Sequence, residues 1–138
     1  MNQTTNQPTA CIFVADDDED DRFLLAHAFT KHSPECSIQF FFDGLALLAA
    51  LENAQPQLII LDLNMPRLNG FETLDYLRTR PQYDDTPIVI LTTSEAESDR
   101  QRARALGADL FVTKPIDGFT LGQTVLKLRA EYLVGRCS

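Results

Sequence analysis

Gln57-Leu58-Ile59-Ile60-Leu61-Asp62-Leu63-Asn64-Met65-Pro66-Arg67-Leu68-Asn69-Gly70 is the stretch that decides the fold. A run of Leu and Ile reads as a strand buried on both faces. Pro66 and Gly70 end it and begin a loop. Asp62 therefore stands at the C-terminal end of a central strand. In open α/β sheets that edge is where ligands bind.

Working outward, four more apolar runs alternate with five helical patterns. Residues 11–15, 38–42, 57–63, 88–91 and 110–113 read as strands. Residues 20–32, 45–53, 70–79, a stretch from about Ser94 to Leu106, and 119–133 read as helices. Asp43-Gly44, Gly107 and Lys114-Pro115 mark turns or stops. Strict β-α alternation predicts a parallel sheet with helices on both faces. Five strands without an extra segment fit an α/β, flavodoxin-like (βα)5 doubly wound sheet of order 2-1-3-4-5. The expected organisation is a lead-in over 1–10, one domain over 11–134 and a tail over 135–138, without an output domain.

The 138 residues carry a formal net charge of -8. That charge argues against binding nucleic acid through its phosphates or an anionic membrane surface. A cationic surface or a divalent metal suits it better. The polar start has no apolar core of a signal peptide, and no run approaches the ~20 residues of a membrane helix. Cys11, Cys36 and Cys137 are odd in number and widely spaced. They suggest a reduced cytoplasmic setting with neither a structural disulfide nor zinc.

In the expected strand order, the ends of strands one, three, four and five converge. Asp16, Asp17, Asp62, Thr92 and Lys114 would then share one pocket. Clustered carboxylates repel unless a cation compensates. Mg²⁺, a hard cation that takes carboxylate and phosphate oxygens, is the natural one. Asp is also a covalent acceptor of phosphoryl groups. Asp18, Glu19, Asp20 and Asp21 read instead as loop and first-turn acids that favour the helix dipole.

These features, in this order and at these strand ends, closely resemble the receiver domain of response regulators, the CheY-like family. The motifs are Asp16-Asp17, Asp62 with Met65-Pro66 and Gly70, Thr92, and Lys114-Pro115. The acidic run 16–21 and Leu91-Thr92-Thr93-Ser94 look closest to the cyanobacterial phytochrome response regulators, mostly stand-alone receivers. The resemblance implies that Asp62 is phosphorylated by a histidine kinase or a phosphotransfer protein. It implies that Mg²⁺ binds Asp17, Asp62 and the backbone carbonyl of Asn64, with Asp16 acting through a metal-bound water. Thr92 and Lys114 would hold phosphoryl oxygens, and the Lys114-Pro115 bond would be cis. Phe111 takes the family's aromatic switch position, although a plain core aromatic fits the residue equally. A downstream protein partner is implied, and a homodimer stays open.

Other classes fit less well. A haloacid-dehalogenase phosphatase wants an acid two residues after the nucleophile, and Asn64 cannot transfer that proton. A flavodoxin-like cofactor carrier lacks its Gly-rich phosphate loop after strand one. The remaining alternative is a degenerate receiver that binds partners without phosphorylation. Arg100, Arg102 and Arg104 read as a solvated face balancing Glu95, Glu97 and Asp99, with a partner surface as the other reading. Turnover of an external metabolite is not expected.

Overall fold

The computed structural model describes residues 10–115 and 117–133. Of the lead-in expected over 1–10, residues 1–9 lie outside them, as do Cys137 and the tail, whereas Ala10 already belongs to the first strand. The elements run β1 (Ala10–Ala15), α1 (Glu19–His32), β2 (Cys36–Phe41), α2 (Gly44–Ala50), β3 (Leu58–Leu61), α3 (Gly70–Arg78), β4 (Ile88–Thr92), α4 (Glu97–Ala105), β5 (Leu110–Thr113) and α5 (Gly118–Leu128). Short 3₁₀ turns follow α2 and α3, and a π-helical turn over Arg129–Leu133 closes the chain's described part. All strand pairs are parallel and the order is β2-β1-β3-β4-β5, as the alternation predicts.

The apolar runs form buried strands because both faces are covered. In β3, Leu58 and Ile60 pack with Val89, Leu91, Leu25, Phe29, Val125 and Leu128. Ile59 and Leu61 pack on the opposite side with Ile88, Ile90, Leu47, Leu74 and Leu77. A period of two thus divides one continuous run between two cores. Burial of each such aliphatic side chain contributes roughly 1.5–3 kcal/mol.

Helix starts follow local chemistry. Asp18, Asp43, Asn69 and Asp117 each cap a helix through a side-chain oxygen. Asn69 and Glu72 form a reciprocal capping box on α3. α4 begins without such a bond. Ala96 holds the cap position without a side-chain bond. Ser94 instead accepts from the Ala96 N–H at 3.2 Å and donates to Asp99 at 2.7 Å.

Two further expectations are corrected. Cys36 is disulfide-bonded, whereas Cys11 is free. Pairing depends on Cα atoms coming within roughly 7 Å, a tertiary fact that sequence spacing does not encode. The Lys114-Pro115 bond is trans, since no peptide bond among the described residues is cis. An X-Pro bond retains a trans preference of roughly 0.5–1 kcal/mol.

Gly70 locks α3 against the end of β3. Its N–H donates to the Leu63 carbonyl at 3.0 Å. A Cβ there would overlap the backbone of Asp62 and lie 2.8 Å from Leu63 Cα. At Gly118 a Cβ would meet nothing within 4 Å. We expect Gly70→Ala to lower stability by about 2 kcal/mol through overpacking, and Gly118→Ala to change it little. Urea unfolding of both variants checks this; equal midpoints would remove the steric argument.

Candidate functional site

The parallel register brings the site together. Ala15 pairs with Leu61, and the Asp62 N–H donates to the Ala15 carbonyl at 3.0 Å. The next residue of β1's exit, Asp16, donates its N–H to the Phe41 carbonyl at 2.9 Å. Asp16 and Asp62 are thereby level on adjacent strand ends. Thr92 pairs with Thr113, and the Lys114 N–H donates to the Thr92 carbonyl at 2.6 Å. The strand ends thus carry the acids and the lysine to one edge.

There, Asp16, Asp17 and Asp62 each place a carboxylate oxygen within 4.8 Å of the others. Asp16 and Asp62 are 4% and 6% exposed, and Asp17 is exposed. The Lys114 ammonium donates to Asp16 at 2.8 Å, to Asp62 at 3.0 Å and to Asp21 at 2.6 Å. Asp62 Oδ2 takes the lysine bond, while Asp62 Oδ1 is buried without a hydrogen-bond partner. A lone buried carboxylate oxygen is costly unless a cation or a donor meets it. Oxygen donors alone, clustered and in excess of positive charge, suit a hard divalent cation. The residues present therefore fit Mg²⁺.

Burial raises the pKa of Asp16 despite its hydrogen bonds from Lys114 and the Asp18 N–H, and the Asp62 charge adds to the rise. For Lys114, burial alone would lower the pKa. The hydrogen bonds to Asp16 and Asp21 and the charge of Asp62 outweigh it and hold the ammonium above its ordinary value. Lys114 is thus a fixed positive charge at any physiological pH.

The remaining expected residues are spread around this centre. Thr92 is fully buried, and its Oγ1 accepts from the Ser94 N–H at 3.4 Å. Asn64 is exposed two residues beyond Asp62. Phe111 is half-buried, with the Arg100 guanidinium 4.8 Å from its ring centroid and donating to its carbonyl at 3.2 Å. Arg102 lies 4.1 Å from the Phe71 ring. These two arginines are therefore aromatic neighbours as well as surface charges.

Asp21 was read from sequence as a helix acid only, yet it makes the shortest of the three lysine contacts. Its place was the available signal: the first turn of α1 follows directly on the end of β1 that carries Asp16. A second unforeseen pair flanks the site. Arg67, at φ 64, occupies left-handed backbone in the loop after Asp62. Its Nε donates to Asp43 at 2.6 Å, and its Nη2 lies 2.5 Å from the same oxygen. Asp43 also caps α2, and the Gly44 N–H donates to the Leu68 carbonyl at 3.1 Å.

The molecule is thus a doubly wound α/β domain whose switch-point edge carries an acidic pocket and Lys114. The chain belongs to the response regulator receiver domain family, whose model matches residues 12–126. It therefore stands within two-component signalling. Protein PilG of Pseudomonas aeruginosa is 30% identical over 80 residues, which are 58% of this chain and 59% of PilG. The phosphorylated cyanobacterial phytochrome response regulator RcpA aligns with a TM-score of 0.84 at 27% identity, covering 91% of this chain and 95% of that one. The Mn²⁺-bound response regulator Rcp1 aligns at 0.79 and 27%, covering 88% and 93%. No helix among the described residues is long and apolar enough to cross a membrane.

The Asp43 carboxyl is held below its ordinary range: burial pushes it up, but the Ala46 N–H and Arg67 together outweigh that. Such a group contributes stability that is full above about pH 4 and is lost as pH falls through the depressed folded value. Asp43→Ala should cost about 1–2 kcal/mol near neutral pH, from the lost cap and ion pair. The gap to wild type should narrow below about pH 4. Urea unfolding across that range checks this; a constant gap would show that charge plays no part.

Proposed function

We propose that residues 11–134 act as a phosphorylation switch. Asp62 accepts a phosphoryl group from a histidine kinase or phosphotransfer protein, and the altered site changes affinity for a downstream protein. The observation that carries this reading is Asp62 itself. It is buried at a strand end, with Oδ2 on Lys114 at 3.0 Å and Oδ1 unpartnered.

In the transfer, an Asp62 carboxylate oxygen forms a bond to phosphorus while the donor's P–N bond breaks. The electron pair leaves with the donor imidazole, which takes a proton from solvent. Mg²⁺, held by Asp17, Asp62 and the Asn64 backbone carbonyl, with Asp16 through a bound water, would neutralise phosphoryl oxygens. Lys114 supplies a fixed positive charge to the same oxygens. The Thr92 hydroxyl donates to a phosphoryl oxygen, and repacking at Phe111 carries the change outward. Two relatives support the reading in kind, since one is named as phosphorylated and one as Mn²⁺-bound.

With Mg²⁺ and acetyl phosphate, intact mass should show one phosphate adduct that is lost on chelation and in Asp62→Asn. Asp17→Asn should weaken Mg²⁺ binding at least tenfold by calorimetry, from loss of a direct carboxylate ligand. Labelling that persists in Asp62→Asn would exclude Asp62 as acceptor. No adduct together with no Mg²⁺ binding would favour a degenerate, phosphorylation-independent binding module.

A further inference from the structure

An ammonium has three N–H donors. In Lys114 all three are taken by carboxylates, from Asp16, Asp62 and Asp21. Asp16 and Asp62 follow strands whose register fixes them. Asp21 arrives differently, from the first turn of α1. Its backbone N–H is held by the Asp18 cap at 3.0 Å, which fixes the turn that presents its side chain. The contact is the shortest of the three, at 2.6 Å. Its side chain is also the most open, 32% exposed against 6% for Asp16 and 9% for Asp62.

Asp21 is not one of the acids clustered for a metal; that group is Asp16, Asp17 and Asp62. It therefore reaches the reacting centre only through the lysine. We propose that Asp21 is a positioning residue for Lys114: it draws the ammonium toward α1 and cancels part of its charge. This rests on Asp62 being the phosphoacceptor. Phosphorylation then requires Lys114 to move one N–H from Asp62 Oδ2 to a phosphoryl oxygen, while Asp16 and Asp21 keep the ammonium in place. Phosphoryl uptake proceeds against a lysine whose field Asp21 has reduced.

The consequence has two opposite signs. Without the Asp21 charge, Lys114 still has Asp16, so its place is largely kept. Its uncancelled charge attracts the phosphodonor more strongly and repels Mg²⁺ more strongly. Charges several ångströms apart at a partly exposed site interact enough to change each quantity by about three- to tenfold. A merely structural loss would depress both.

The experiment compares wild type, Asp21→Asn, Asp21→Glu and Asp20→Asn. Asp20 shares the first turn but makes no ion pair among the described residues. Mg²⁺ affinity is read by calorimetry. The initial rate of labelling by acetyl phosphate is read by intact mass at saturating Mg²⁺. Both are run at about 0.15 M salt, where the Debye length of about 8 Å limits distant surface effects. Asp21→Asn should label about three- to tenfold faster and bind Mg²⁺ about three- to tenfold more weakly. Asp21→Glu should return both toward wild type, and Asp20→Asn should leave both unchanged. If wild type labels and Asp21→Asn matches it, or loses rate and affinity together, the proposal falls while the phosphoacceptor reading stands. Failure of Asp21→Glu to restore, or an equal effect of Asp20→Asn, also overturns it. A wild type that takes no label overturns both readings.

Discussion

One ammonium among carboxylates is the constraint on which the rest of this structure depends. Lys114 Nζ meets Asp16, Asp21 and Asp62 within 3.0 Å, and Asp17 stands beside them. Gathering these acids costs desolvation and mutual repulsion. The lysine offsets part of that, and the upward shift at Asp16 shows that it does not offset all. Asp62 Oδ1 is left without a donor. A sequence selected for stability alone would fill that corner with apolar side chains. The unsatisfied charge is what gives the pocket its demand for a cation.

The fold is arranged to hold that unfavourable group still. Parallel strands end level, so Asp16 and Asp62 leave adjacent strands at one height. Gly70 lets α3 close against the Asp62 backbone. Arg67 accepts a left-handed backbone, and its two contacts to Asp43 tie the loop after β3 to the start of α2. Left-handed backbone costs a non-glycine residue roughly 1–2 kcal/mol. The ion pair to a buried, helix-capping aspartate offsets that cost and draws the loop bearing Asn64 into a fixed path.

What was legible in the sequence follows from range. Apolar runs and their punctuation report on local structure, so the strand order and Asp16, Asp17, Asp62, Thr92 and Lys114 could be placed. Asp21 was hidden by company, because an acid in a first turn already has a reason to be there. Arg67 with Asp43 was hidden by distance, since 24 residues separate them and neither belongs to a periodic pattern. The uncapped start of α4 came from competition. Ser94 is a good cap residue, but its hydroxyl is engaged with Asp99 and with the Ala96 N–H. The Cys36 disulfide has no local signature at all.

The same loop shows how a charge at Asp62 could be read at a distance. Thr92 Oγ1 is held only at 3.4 Å by the Ser94 N–H, the longest side-chain bond around the site. Ser94 is in turn fixed by Asp99 and, through its carbonyl, by the Thr113 hydroxyl at 3.0 Å. Phe111, two residues before Thr113, sits under Arg100. On the proposed reading a phosphoryl oxygen accepts from the Thr92 hydroxyl, and the movement of Oγ1 pulls on its long bond with the Ser94 N–H. Ser94 ties that bond to Asp99 of α4 and to Thr113 of β5. A bond near the geometric limit next to bonds of 2.7 and 3.0 Å is the kind of local imbalance that gives a segment two arrangements. Phe111 brings no hydroxyl to that rearrangement, so on this reading its signal is the position of a ring and of the arginine stacked on it.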